Sequence, residues 1–236
     1  KQSSYHVNPF CKHAMQCGGC QIQHLDYPMQ LKLKSDILRD ALKKNHIIFN
    51  HHHPIIASEN IKEFRNKAQF AIGFSDKELL AIGLYAMRSH RIISLDSCPI
   101  QHSITSSIIK KLKQLIKKYK IRIYDETTYS GLLRHILIRT SYHYNQTMIG
   151  LVINGDVLTY ETEIITKLSQ IDGVSSLYLN INTEKTDVIL GKESRMLWGN
   201  AHIEERIGHC TFSYGLTSFF QTNPFQTVKL YEQIKT

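Results

Sequence analysis

Apolar residues recur at helical spacing in several parts of the chain. Residues three or four apart form one stripe in the first fifth of the sequence: Met29, Leu33, Ile37, Ala41 and Leu42. The pattern predicts a helix that ends near Lys43 and Lys44. A second helix is predicted over Ser107–Tyr119, a third over Thr159–Ser169, and a last one from Asn223-Pro224 to the chain end.

Between these helices the pattern changes to that of strands. Arg65–Phe74 and Leu79–Met87 read as two strands joined by a turn at residues 75–78. Further strands are predicted at His135–Thr140, Met148–Asn154, Ser176–Asn182, Asp187–Leu190 and Thr211–Tyr214. From these elements we predict an α+β fold. Its sheet should be mainly antiparallel, with flanking helices.

Composition and charge narrow the class of protein. A hydrophobic content of 42% fits an ordinary globular core. With 29 Lys and Arg against 20 Asp and Glu, the net charge is +9, which favours a polyanionic partner such as nucleic acid. A basic protein without such a partner is the simpler alternative. No long apolar run or signal-like start occurs, so we predict a cytoplasmic protein with no membrane partner.

The second predicted helix carries much of this charge. Lysines occupy most of its polar face: Lys110, Lys111, Lys113, Lys117 and Lys118. Such a run usually forms a solvated helix face, and direct contact with RNA is the alternative.

The cysteines follow a pattern of their own. Cys11, Cys17 and Cys20 form C-x5-C-x2-C, Cys98 lies far along the chain before Pro99, and Cys210 stands alone. Clustered thiols in a reducing compartment are more often metal ligands than disulfides. Four thiolates could hold zinc or a [4Fe–4S] cluster, and the three-plus-one layout favours the cluster. Reduced structural thiols are the remaining alternative.

Gly18 and Gly19 belong to the first of five sequence segments, called blocks here, that together resemble a known family. These glycines should let the chain turn tightly between Cys17 and Cys20. The five blocks are Cys11–Lys34, Phe64–Ala68, Leu95–Gln101, Gly131–Arg139 and Ser218–Pro224. In this order they resemble RNA uracil-5-methyltransferases that carry an iron–sulfur cluster, over nearly the whole chain.

The resemblance implies roles for particular residues. The metal ligands of the [4Fe–4S] cluster would be Cys11, Cys17, Cys20 and Cys98. Gln221 would contact S-adenosylmethionine. The residues in blocks that face RNA are Arg65, Lys67, Arg134 and Arg139. Cys210 matches no motif of the family.

The resemblance also implies a division of the chain into four parts. Residues 1–28 would form the cluster loop, and residues 29–46 a helix that packs on an absent catalytic domain. Residues 47–216 would form an RNA-facing central α+β domain, and residues 217–236 the start of the methyltransferase domain. The nucleophilic Cys and the Glu base would lie in a Rossmann-like domain beyond Thr236, so no catalytic residue is expected here and the chain alone should be inactive.

The cluster bears on the expected substrate. The cysteine set favours 23S rRNA, because the bacterial tRNA enzyme of this family lacks it, although archaeal tRNA members carry it. Since methyl transfer needs no electron, the cluster would act as a staple between the cysteine loop and Cys98. Two alternatives are a non-catalytic RNA-binding module and a zinc-stabilised structural domain. The oligomeric state is left open.

Overall fold

The computed structural model describes residues 3–51, 53–75 and 79–235. The helices of this part are α1 (Tyr27–Lys44), α2 (Ile104–Tyr119), α3 (Glu161–Ser169) and α4 (Pro224–Lys235). The strands are β1 (Lys67–Phe74), β2 (Leu80–Tyr85), β3 (Ile92–Ser94), β4 (Leu133–Thr140), β5 (Thr147–Ile153), β6 (Val174–Ile181), β7 (Glu193–Gly199), β8 (Ile203–Ile207) and β9 (Cys210–Tyr214). Residues 76–78 of the predicted first turn lie outside the described part.

One seven-stranded sheet organises the molecule. Its strand order is β3-β2-β1-β4-β5-β6-β7, and β8 and β9 form a separate hairpin. Neighbouring strands run antiparallel, except that β5 and β6 are parallel and are joined through α3. A parallel pair needs such a crossover, because its strands start at the same edge. The mainly antiparallel sheet with flanking helices confirms the predicted architecture.

One predicted strand, Asp187–Leu190, is wrong. The side chain of Asn182 donates hydrogen bonds to the carbonyl oxygens of Val188 (2.7 Å) and Ile189 (3.1 Å), which holds this segment as a loop. The last strand of the sheet is β7 instead. The side chain of Asn180 donates to the carbonyl oxygen of Gly191, just before β7, and to that of Glu193, the first residue of β7, at 3.0 Å each. Most residues of β7 are exposed, so its sequence carries no clear alternation.

The face of the sheet that carries α2 and α3, called here the helix face, is apolar. Phe70 and Ile72 of β1 point to this side together with Ile136 and Ile138 of β4. They pack against the buried stripe of α2, which comprises Ile104, Thr105, Ile108, Ile109, Leu112, Leu115 and Ile116. Each fully buried aliphatic or aromatic side chain contributes about 1.5–3 kcal/mol relative to exposure, so this layer is the main source of stability.

The opposite side of the sheet, called here the polar face, alternates with the helix face along each strand. On β1 and β4 it carries the register pairs Lys67–Arg139, Gln69–Leu137 and Ala71–His135. Part of this face is covered by the β8–β9 hairpin, through a small apolar cluster of Leu137, Met148, Ile203, Tyr214 and Leu216. The remainder is open and polar.

Helix α1 lies at the margin of the fold. Asp26 caps it by accepting a hydrogen bond from the backbone N–H of Met29 at 2.7 Å, but none of its residues is buried. Ile37 is 60% exposed and Leu38 47% exposed. The helices of the described residues include none that is both long and apolar enough to cross a membrane.

Candidate functional site

The cysteine loop is seated on strand β2. The backbone N–H of Gly18 donates to the carbonyl oxygen of Tyr85 at 2.9 Å, and a Cβ at Gly18 would lie 2.9 Å from that same oxygen. A Cβ at Gly19 would come within 2.8 Å of Leu84 Cδ1. Neither glycine has a positive φ. The glycines are therefore needed for the close approach of this loop to β2, a reason that adds to the predicted tight turn.

The loop that contains Cys98 meets the start of β1. The backbone N–H of Glu63 donates to the carbonyl oxygen of Pro99 at 2.8 Å, and that of Arg65 donates to Ile100 at 2.9 Å. Arg65 and Gln101 also form an isolated parallel bridge. The remote fourth cysteine is thereby tied to the strand that carries the predicted basic residues.

The four predicted thiols lie within electrostatic reach of one another. Burial raises the pKa of Cys17, Cys20 and Cys98, and neighbouring thiols raise each of these values further. For Cys98 the contributing neighbours are Cys20, Cys11 and Cys17. Such coupling requires proximity, because Coulomb interactions weaken with distance. The topology therefore brings the C-x5-C-x2-C loop and Cys98 to the same part of the fold, where Cys17 and Cys98 border one hydrophobic cluster.

The arrangement of these thiols is not that of a single-ion site. Within the described residues, no group of three or more His, Cys, Asp or Glu side chains is placed to hold a metal ion. A [4Fe–4S] cluster makes a different demand, since each thiolate binds its own iron and the sulfurs need not converge on one atom. Thiolates are soft ligands of the kind that iron–sulfur clusters use, and metal binding requires that the thiols lose their protons.

Asn66 connects two of the sequence blocks with the end of β4. It is only 4% exposed. Its backbone N–H donates to the carbonyl oxygen of Thr222 at 2.9 Å, and its side-chain amide donates to that of Gln221 at 2.8 Å. Its own carbonyl accepts from Thr140 at the end of β4. The segment that contains Gln221 is thus fixed to the end of the sheet at which β1 begins and β4 ends.

Arg139 is a buried structural cation. With 2% of its surface exposed, its Nη1 donates to the carbonyl oxygens of Gly215 (2.9 Å), Leu216 (3.0 Å) and Ser218 (2.6 Å). Its guanidinium carbon lies 4.7 Å from the ring centroid of Tyr214. The predicted contact with RNA needs correction, because this side chain faces backbone and not solvent.

Arg134 has the same character. It is 4% exposed and donates to the carbonyl oxygens of Asn182 at 2.6 Å and Glu184 at 2.9 Å. Its guanidinium lies over the ring of Tyr124 at 4.3 Å. This placement also argues against direct contact with RNA. Both arginines hold loops that border the polar face.

Arg65 and Lys67 lie instead on an open cavity, called here the β1 pocket. Its volume is about 270 Å³, and one wall is formed by Gly19 of the cysteine loop. The polar side chains that line it are Arg65, Lys67, Gln69, Tyr85, Gln101 and His135. Burial lowers the pKa of Lys67, and the nearby Arg139 and Arg65 lower it further. The pocket therefore concentrates positive charge beside hydrogen-bonding groups.

His135 of β4 also lines this pocket. It is 6% exposed, and its Nδ1 is buried without a hydrogen-bond partner. Its Nε2 lies 3.5 Å from the hydroxyl of Tyr85, which donates to Glu126 at 2.7 Å. Burial, reinforced by Arg134, lowers the pKa of His135 to about 4. The imidazole is therefore neutral near pH 7 and can donate or accept one further hydrogen bond.

Gln221 borders a second cavity at the start of α4. This cavity has a volume of about 380 Å³ and is lined by Ile56, Thr222 and Asn223 among others. Asn223 caps α4 by accepting from the backbone N–H of Gln226 at 3.0 Å, as the Asn-Pro pair predicts. The role of Gln221 towards S-adenosylmethionine stays a prediction.

Several residues that define the site carry no predicted role. Asn66, Gln69, Gln101 and His135 all lie within the resembling blocks or beside them. The available signal was polarity on strands: Gln69 lies between Ala68 and Phe70, and His135 precedes three apolar residues. A polar residue at every second position of a buried strand indicates a polar face.

Comparison with known proteins shows what class of protein the chain is similar to. No protein-family model matches the chain. The chain is 43% identical over 232 residues to a protein named uncharacterized RNA methyltransferase from Clostridium tetani, and 36% identical over 234 residues to one from Caldanaerobacter subterraneus. These alignments cover 98% and 99% of the chain but 50% and 52% of the relatives. The chain thus spans about half the length of the curated relatives it matches.

A solved structure gives the same picture. The Pyrococcus abyssi tRNA (uracil-54, C5)-methyltransferase, in complex with S-adenosyl-L-homocysteine, matches with a TM-score of 0.77 and 26% identity. The match covers 100% of this chain and 52% of that one. Together with the relatives, this similarity supports an RNA methyltransferase family for the chain.

Proposed function

We propose that this chain is the cluster-binding and RNA-binding part of an S-adenosylmethionine-dependent RNA uracil-5-methyltransferase. The observation that carries the proposal is the meeting of all five sequence blocks around the polar face. Asn66 and Arg139 fix the Gln221 segment there, while the Cys98 loop and the cysteine loop border the same face. The whole protein's activity is proposed from this similarity, and no catalytic residue is assigned to this chain.

Arg65 and Lys67 are the residues proposed to bind RNA. Both line the β1 pocket, whereas Arg134 and Arg139 are buried against carbonyl oxygens. A net charge of +9 supports an RNA partner, because each neutralised phosphate releases condensed counterions. Since Gly19 forms a wall of this pocket, the order of the cysteine loop should influence RNA binding.

Cys11, Cys17, Cys20 and Cys98 are proposed to ligate a [4Fe–4S] cluster. When bound, the cluster would supply a covalent link between the cysteine loop and the loop that contains Cys98, which restrains both against unfolding. The other three thiols each raise the pKa of Cys98, which supports a shared site. Electron transfer is not part of the proposal.

Two further roles follow from the resemblance. Gln221 is proposed to contact S-adenosylmethionine, because it borders a cavity and its carbonyl is held by Asn66. The exposed apolar residues of α1, including Ile37, are proposed to pack on a catalytic domain in the longer protein.

The target RNA is proposed to be 23S rRNA, on the strength of the cysteine set. Transfer RNA is the second candidate, because the similar Pyrococcus abyssi structure is of a tRNA (uracil-54, C5)-methyltransferase. Filter binding of 23S rRNA fragments and of tRNA transcripts, at two salt concentrations, discriminates between them. A tighter complex with tRNA at both concentrations would reverse the order of the candidates.

The central test is Cys98→Ser in protein purified without oxygen. We expect loss of iron and acid-labile sulfide and, in parallel, of RNA affinity, because the variant lacks one proposed ligand and the link it makes. Cys210→Ser is the matched control, since Cys210 is exposed on β9 and remote from the other thiols in sequence. It should keep about four irons per chain.

Two outcomes would contradict parts of the proposal. Full RNA affinity after complete loss of iron would separate the cluster from RNA binding. Zinc at about one per chain without sulfide, in the unaltered protein, would replace the cluster with a structural zinc site.

A further inference from the structure

The β1 pocket has a composition that suits one nucleotide better than a duplex. At about 270 Å³ it is at the small end of ligand cavities, and it opens beside the cysteine loop. Arg65 and Lys67 provide two cations at one end of its lining. None of the described residues that line it is acidic. An anionic group can therefore enter without meeting a fixed negative charge.

The other lining groups can recognise a base. Gln69 and Gln101 each present an amide with both donor and acceptor capacity, and no hydrogen bond within the described chain occupies either side-chain amide. Amides of this kind read base edges through paired hydrogen bonds. His135, more than nine-tenths buried, adds an unpartnered Nδ1, and the ring of Tyr85 adds an aromatic surface. Base edges and rings of unpaired nucleotides are recognised by these two kinds of contact.

We infer that the β1 pocket binds a single unpaired nucleotide of the RNA, with its phosphate against Arg65 and Lys67 and its base against Gln69, Gln101 and His135. The inference rests on the proposed RNA-binding function and adds to it a preference for single-stranded over duplex RNA. In a duplex the base edges are paired and stacked, so they cannot reach Gln69. A base that leaves the stack can do so.

The test compares two RNAs by fluorescence anisotropy with the 236-residue chain. One is a hairpin with an unpaired loop, and the other is a blunt duplex that contains the stem sequence. Gln69→Ala should weaken hairpin binding about tenfold and leave duplex binding unchanged. Gln69→Glu, which nearly keeps the side-chain shape, should weaken hairpin binding further, because a carboxylate cannot donate a hydrogen bond to the base and adds a negative charge to the pocket. Gln114→Ala, an exposed glutamine of α2, is the matched control and should behave as the unaltered protein.

Lys67→Ala separates the phosphate contact from the base contact. It should weaken both RNAs and reduce the salt slope of log K by about one, since one phosphate contact is lost. Unchanged hairpin affinity for both Gln69 variants, in chains that bind hairpin RNA and unfold at the unaltered temperature, would overturn the inference and leave the proposed function standing. Equal losses on hairpin and duplex would overturn it as well. If the unaltered chain binds neither RNA, the proposed function fails together with the inference.

Discussion

The two faces of the seven-stranded sheet use different chemistry. On the helix face, Ile136 and Ile138 pack on the aliphatic stripe of α2, and the interactions are non-directional. On the polar face, the alternate residues His135 and Arg139 of the same strand are buried among carbonyl groups and polar side chains. Burial of a polar group is costly unless each hydrogen bond is made. The helix face therefore supplies stability, while the polar face supplies a specific arrangement of groups.

The largest effect should come from breaking the polar face at Arg139. Arg139→Met keeps much of the side-chain volume but leaves the carbonyl oxygens of Gly215, Leu216 and Ser218 without their charged donor. We expect the free energy of unfolding to fall by about 3–5 kcal/mol, measured by urea denaturation. Arg122→Met, at an exposed arginine, should change it by less than about 0.5 kcal/mol. A loss at Arg139 no larger than that at Arg122 would show that those carbonyls find other donors.

A smaller effect, dependent on pH, should come from His135. Its pKa is about 4 in the folded state and near 6.5 in the unfolded state, so the unfolded chain binds the proton first as the pH falls. Stability should therefore decrease from about pH 6.5 towards pH 4. Between pH 6.5 and pH 5 this one group contributes a loss of about 2 kcal/mol.

The variant His135→Gln should flatten this part of the stability profile. The control His53→Gln, at an exposed histidine, should leave the slope unchanged. On the helix face, Leu112→Ala should lower stability by about 3 kcal/mol at every pH in this range, because it removes only apolar contacts. If the slope is the same in His135→Gln as in the unaltered chain, another group carries the pH dependence.

The smallest change in stability is expected at the edge strand β7, where the altered interaction is a solvent-exposed ion pair. Arg195 of β7 forms a two-point ion pair with Glu161 of α3, at 3.0 and 2.7 Å. The Arg195 side chain is 48% exposed, so solvent screens the pair. Arg195→Ala should cost less than about 1 kcal/mol, and the cost should shrink in high salt. Thermal unfolding at low and high salt measures both.

A stability loss in Arg195→Ala of more than about 1 kcal/mol that does not depend on salt would mean that the aliphatic part of the Arg195 side chain contributes packing. It would then extend the apolar layer of the helix face to the edge strand.

Much of the architecture could be predicted from local pattern. The apolar residues of α2 recur every three or four positions, and the cap of α4 is the adjacent pair Asn223-Pro224. Both signals involve residues that are close in sequence, so they are visible without the structure. The position of β7 could not be predicted in this way. Its residues are mostly exposed, and its start depends on Asn180, which lies on another strand.

The candidate site also contains features that the sequence predicts and features that it does not. The four-cysteine set and the five blocks were recognisable from residue types and spacing. The sequence does not show whether a basic residue in those blocks faces RNA. Lys67 and Arg139 are register partners on neighbouring strands, yet their surroundings differ. Arg139 finds its carbonyl acceptors 76 to 79 residues away, and Lys67 lies on a pocket.

The sequence by itself thus determined the α+β class, the helices and the set of thiols, since these depend on local spacing and residue chemistry. The tertiary structure decided which cations are buried and which are available, and it assembled the β1 pocket from Gly19, Gln69 and His135. The physical reason is that hydrogen-bond partners and solvent exposure are set by segments distant in sequence. Only the folded chain brings them together.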